Sequence, residues 1–303
     1  MCITKNSEIL FIYDAKMCNP NGDMDNENKP RMDYDTETNL VSDVRLKRYL
    51  RDYFEKGIEK PQPVFVTEKA STAEDRVFQI LERKPSKDKP VTKKELEKIA
   101  ENCIDVKLFG AVLGTTGGND HLTGPVQFNW GYSLNPVEIC ESSTITSSFS
   151  SGEGVGKDFR VKYSLIAFSG GINANIAKDT NLSDEDIDLF DRAMILAIPF
   201  SRTRSKIGQT TRLYLRIEAS DNKSILKDLR EYVKLEYSEK DEYKVRDIGD
   251  VILNVEALVN YLQDKSISKI VYWKDDSIEV KGWDSLSESY KGKMNPLNPN
   301  ASK

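Results

Sequence analysis

Ile9-Leu10-Phe11-Ile12-Tyr13 is an unbroken β-branched and aromatic run closed by Asp14, which predicts a buried strand over residues 8–13. Further on, Leu46, Leu50, Tyr53 and Phe54 recur at helical spacing behind the capping residues Ser42 or Asp43. With Gly57 as a stop, they predict a helix from about 43 to 54. Val126, Phe128, Trp130, Tyr132 and Leu134 alternate with small or polar residues at a period of two, predicting one strand with its aromatic side chains in the core. Residues 160–168 predict another strand. Ser183-x-x-Asp186 opens a second helix, with Ile187, Phe190, Met194 and Ala197 inward and Pro199 at its end. Residues 212–218, with Leu213, Leu215 and Ile217 on one face, predict the strand that follows.

Strand, helix, strand, strand, helix, strand is the split βαβ order, so the expected fold class is α+β. The expected architecture is an RRM-like or ferredoxin-like palm (βαββαβ) built from residues 1–57 and 125–219. Residues 58–124 read as a finger-like insertion, punctuated by Pro61, Pro63, Pro85 and Pro90, with capping patterns at Thr72-x-x-Asp75 and Thr92-x-x-Glu95. The stretch 138–159 is rich in Ser, Thr and Gly and poor in large side chains, so it predicts a protruding hairpin within the palm. Residues 220–303 form a C-terminal α/β extension. It is expected to hold amphipathic helices near 224–235 and 251–263, a short strand around 270–273 and a disordered tail over 294–303.

Composition narrows the function. No apolar stretch of the 303 residues approaches the ~20 a membrane helix needs, and the N-terminus lacks a signal-peptide core, so a cytoplasmic protein without a membrane partner is expected. Cys2, Cys18, Cys103 and Cys140 are scattered, as free thiols would be. The net charge is −5, yet the stretch 192–216 carries six basic residues and no acidic one, while acid gathers at 14–37 and 179–191. Binding depends on where charge sits rather than on its sum.

Catalytic patterns are weak. Asp23-x-Asp25-x-Glu27 lacks the glycine of an EF-hand turn, and Asp, Asn and Gly are ordinary turn residues. His121 is the single histidine. Gly152-Glu153-Gly154-Val155-Gly156 lacks dinucleotide-loop spacing, and Gly208-Gln209-Thr210 lacks a Walker lysine. No metal and no cofactor is expected. The loop from Ser201 to Arg212 instead mixes Arg202, Arg204, Lys206 and Arg212 with Ser, Thr and Gln, a composition suited to a phosphate chain. Arg45, Lys47, Arg48 and Arg51 on the first helix offer a second basic surface, and together the two segments predict a continuous positive furrow.

Asn19-Pro20-Asn21-Gly22-Asp23-x-Asp25, Lys29-Pro30-Arg31-x-Asp33, Leu40-Val41-Ser42-Asp43-Val44-x-Leu46-Lys47-Arg48, Lys107-Leu108-Phe109-Gly110 and Gly124-Pro125-Val126-Gln127-Phe128 carry a further signal. Together they resemble the Cascade backbone subunit family (Cas family seven) of type I CRISPR systems, nearest in pattern to the subtype I-B branch. The resemblance covers residues 8–219 and implies a non-catalytic protein that grips CRISPR RNA by its sugar-phosphate chain. Copies would stack in a helical filament with other Cascade subunits, leaving bases free to pair with target DNA. It implies RNA contacts from Lys29, Arg31, Arg45, Lys47, Arg48, Arg202, Arg204, Lys206 and Arg212. It also implies a thumb at 138–159 whose Ile145 and Phe149 wedge beside a displaced base. Relatives in type III systems cut RNA with an aspartate in the comparable loop, so a metal-dependent RNase using Asp23, Asp25 and Asp33 is the second reading.

Overall fold

The computed structural model describes the chain except residues 58–59, 116–117, 147–154, 239–240 and 300–303, together with the side chains of 114–120 and 141–156. The elements that position the site are β1 (Ser7–Cys18), β2 (Thr38–Val41), α1 (Asp43–Lys56), β3 (Val126–Phe128), β4 (Gly131–Ser133) and β5 (Ile139–Thr146). After them come β6 (Val155–Ile172), α2 (Asp184–Phe200), β7 (Gln209–Ala219), β8 (Ile267–Lys274) and β9 (Met294–Pro296).

One large mixed sheet runs in the order β9-β8-β7-β1-β6-β4-β2 and ends on Met32–Asp33, with β3 and β5 also pairing to β6. β1 lies between β6 and β7, antiparallel to both, whereas β9 joins β8 in parallel. Ile9, Phe11 and Tyr13 face α1 and α2, packing with Leu46, Leu50, Phe54, Phe190 and Met194. Leu10 and Ile12 face the opposite way, into a second core with Leu213, Leu215, Ile217, Leu229, Leu253 and Leu258. Both faces of β1 are therefore covered, which explains a continuous apolar run where a half-exposed strand would alternate. Each such aliphatic side chain contributes roughly 2 kcal/mol by leaving water.

α1 starts where its cap predicts: the Ser42 hydroxyl accepts from the Arg45 N–H, and the Gly57 N–H closes the helix on the Tyr53 carbonyl at 2.8 Å. Ser183 and Asp186 form a complete capping box on α2, and Pro199 is accommodated in its last turn. Within residues 61–123 a smaller core gathers Phe65, Val77, Leu96, Ile99, Val106 and Leu113, with a full capping box at Thr92 and Glu95. The four cysteines are free thiols. Among the described residues no helix is long and apolar enough to cross a membrane.

Four local expectations fail. The strand predicted over 126–134 is two strands, because Asn129 and Trp130 interrupt the alternation. The Asn129 N–H bonds the Ser169 carbonyl at 2.9 Å, and its own side-chain oxygen accepts the Trp130 N–H at 2.8 Å. Gly131 then meets the Phe168 ring so closely that a Cβ would lie 2.4 Å from it, and Trp130 turns outward, 43% exposed.

The helix expected near 224–235 is a 3-10 turn (Leu229–Tyr232) followed by a strand (Lys234–Tyr237). Residues 251–263 divide into a strand (Val251–Asn254) and a helix (Glu256–Leu262), since the β-branched start pairs on both sides. The tail expected to be disordered contributes β9, and Leu297 donates to the Tyr272 carbonyl at 2.8 Å. Sheet pairing from distant strands decides each case, and that information is absent from a local window.

Candidate nucleic-acid interface

The Asn-rich segment after β1 is a folded loop. Gly22–Asp23 pairs with Lys29–Pro30 across a turn that holds Glu27 and Asn28 in the left-handed region. The Asn19 amide donates to the Asn28 carbonyl at 2.8 Å. The Asn21 side-chain oxygen accepts from both the N–H and the hydroxyl of Ser42, at 2.9 and 3.0 Å. The loop is thereby fastened to the first turn of α1.

The basic loop between α2 and β7 is locked to the same place. The Lys206 ammonium donates to the carbonyls of Asn19 and Pro20, and the Asn19 N–H donates to the Ser205 carbonyl. Gly208 accepts from the Lys16 N–H at 2.9 Å with φ +106°, and any Cβ there would sit 2.4 Å from the Lys16 carbonyl oxygen. Only glycine allows that approach.

The root of the β5–β6 hairpin completes the cluster. The Arg160 guanidinium donates to the Met17 carbonyl at 2.8 Å, and both Arg160 and Arg204 reach Asp158. Lys157 pairs with Glu27 at 2.6 Å, and the Lys29 ammonium lies 5.0 Å from the Phe159 ring centre. Three segments distant in sequence thus form one polar, cation-bearing ridge at the end of β1.

The predicted RNA-contacting residues divide on this frame. Arg202 is exposed, Arg204 is 61% exposed while paired to Asp158, and Lys29 stands over Phe159 on the ridge. Arg31 pairs with Asp23 at 3.0 Å and lies 6.0 Å over the Trp130 ring. Arg45 stacks 4.0 Å over Tyr49 and leaves its buried Nε without a hydrogen-bond partner.

The others face protein. Lys47, 9% exposed, donates to Asp43 and to Gln127, both at 3.0 Å. Arg48 is held by Asp52 and Glu68, and Arg212 by Asp14, Asp275 and Ser277. Lys206 anchors the loop, and burial, with the Arg45 charge second, pushes its pKa down to about 7. The continuous furrow of free cations expected from sequence is therefore broken, because a half-buried charge requires a partner and the fold supplies carboxylates or carbonyls.

Sequence reasoning missed Trp130, hidden in a regular alternation, and Arg160, taken as an ordinary strand residue. It treated Asn19 and Asn21 as turn formers, although their side chains tie the loop down. Gln127 joins two of the motifs: its amide donates to the carbonyls of Phe109 and Gly124, at 3.1 and 3.0 Å, while its oxygen accepts from Lys47. Asp33 accepts from the Asp35 N–H at 3.1 Å, and among the described residues no three His, Cys, Asp or Glu side chains group as a metal site. His121 is exposed on the strand Gly118–Thr123, opposite Val112. Ile145 lies opposite Gly156 in the hairpin register, and Phe149 lies outside the described residues.

Comparison with known proteins places this geometry. The family described as CRISPR-associated protein Cas7 matches residues 5–256. A CRISPR-associated protein Cas7 from Haloferax volcanii is 32% identical over 291 residues, covering 87% of this chain and 84% of the relative. A chain of a solved CRISPR RNA-guided surveillance complex in a pre-nicking state superposes with a TM-score of 0.53 at 13% identity, covering 97% of both chains. Another solved surveillance complex gives 0.50 at 13% identity, over 97% of this chain and 95% of its own. The two structures share the mixed α/β fold, and the family match and the relative settle kinship: this chain belongs to the CRISPR-associated Cas7 family.

Proposed function

We propose that the protein is a non-catalytic backbone subunit of a type I Cascade complex, of subtype I-B by its motif pattern. It binds CRISPR RNA through the sugar-phosphate chain and stacks with further copies of itself and other Cascade subunits. The guide bases are thereby left to pair with target DNA. The carrying observation is the ridge at the end of β1, where Lys29 and Arg204 come together from separate loops at the root of a two-stranded arm, with the exposed Arg202 two residues from Arg204.

The order β7-β1-β6-β4, with both helices on one face, supports an RRM-like palm. RRM domains stack bases on the opposite face, which the C-terminal segment fills here with Leu229, Leu253 and Leu258. RNA therefore runs over the ridge and the hairpin arm, where the thumb residues Ile145 and Phe149 wedge beside a displaced base. The RNase alternative, built on Asp23, Asp25 and Asp33, finds no assembled ligand set among the described residues.

The test is light scattering of the protein mixed with single-stranded RNAs of increasing length. Complex mass should climb in whole subunits as the RNA lengthens and fall back on RNase treatment. One protein per RNA at every length would contradict the reading.

A further inference from the structure

We propose that Trp130 and Arg31 form a stacking subsite for an unpaired nucleobase, further along the sheet from the phosphate-binding ridge and linked to it by the loop that carries both Arg31 and Lys29. The inference rests on the RNA-binding reading above and deepens it, adding to the phosphate grip and the thumb wedge a surface on which a base stacks.

Trp130 is the one exposed tryptophan of three: Trp273 and Trp283 pack against the two main cores, whereas Trp130 turns outward between the buried Phe128 and Gly131. The outward turn is built into the fold. Asn129 fixes the kink on one side through Ser169. On the other, the Arg230 guanidinium donates to the Trp130 carbonyl at 2.8 Å. Arg230 is itself 5% exposed, held by Asp228 and seated 4.4 Å over the Tyr132 ring. The backbone beneath the indole is therefore pinned from both sides.

Arg31 brings charge to that surface. Its guanidinium lies 6.0 Å from the indole centre, and its place in the 19–33 loop is set by Asp23 and by its N–H on the Asn21 carbonyl. A flat apolar ring next to a guanidinium, on the loop that also carries Lys29, matches a nucleotide, which is flat and apolar at the base and anionic at the phosphate. Stacking on indole tolerates every base, so the subsite is compatible with a protein that ignores sequence.

The experiment compares binding of a short single-stranded RNA with an abasic oligomer of the same length and charge at one salt concentration. The parent should prefer the base-bearing oligomer by roughly five- to a hundredfold, the range for one stacked base. W130A should lose most of that preference with an unchanged melting temperature, and W130F should recover most of it. Tryptophan emission should be quenched by the base-bearing oligomer in the parent and not in W130F. Equal binding of the two oligomers by the parent, or a preference that W130A leaves intact, overturns the subsite. So does a W130A protein that keeps the preference but no longer self-associates, since the ring would then be a subunit contact. Failure of both oligomers to bind overturns the RNA-binding reading instead.

Discussion

The Lys206 ammonium donates to the backbone carbonyl of Asn19, joining a cationic loop to the Asn-rich loop that follows the first strand. A lysine that reads as a phosphate ligand is thus a tether, while its neighbour Arg202 is exposed. K206M should speed hydrogen exchange across residues 19–33 and leave the slope of log affinity against log salt unchanged. R202A should leave exchange alone and flatten that slope by about 0.7, one phosphate contact. The reverse pattern would exchange the roles of the two residues.

Asp158 sits on the ridge and accepts from Arg160 and Arg204. D158N removes a negative charge and loosens two guanidiniums. RNA affinity at low salt should rise several-fold, with the gain fading as salt screens it. A fall in affinity measured by fluorescence anisotropy would mean that Asp158 chiefly orders the hairpin root.

Glu8 lies against Ser169 and near Asp228, and burial, reinforced by the Asp228 charge, pushes its pKa up to about 8. Its native pKa exceeds the unfolded value of 4.5, so between those limits the folded chain holds the extra proton. This group's contribution to stability is fully present below pH 4.5 and is lost as pH rises through 8. The melting temperature of E8Q minus that of the parent should therefore grow from pH 5 to pH 8.5. A constant difference would show that Glu8 ionises normally.

The Asp191 carboxylate is buried under α2, bonded to the Arg216 guanidinium at 2.7 Å and to the Tyr214 hydroxyl at 2.6 Å. D191N leaves the Arg216 charge poorly paired in the core. It should cost about 3–5 kcal/mol in urea unfolding. A loss below about 1 kcal/mol would mean that water or Glu218 compensates.

Elements set by local chemistry were legible in the sequence: the apolar run of β1, the Ser42 cap of α1 and the Ser183 box of α2 each fix an element with few neighbours. Elements set by distant pairing were not. Nothing around Val251 announces partners at residues 234 and 281, and nothing around Met294 announces Ile270. The site divides in the same way. The loops that meet at the ridge were visible as polar and basic segments, but which cations stay available depends on carboxylates far away in sequence, such as Asp275 for Arg212 and Glu68 for Arg48.

Affinity for two single-stranded RNAs of equal length and unrelated sequence, measured over a salt series, bears most directly on a phosphate-led, sequence-blind grip. The two should bind alike at every salt concentration, with log affinity falling linearly at about −0.7 per phosphate neutralised. A strong preference for one sequence, or an affinity indifferent to salt, would contradict it.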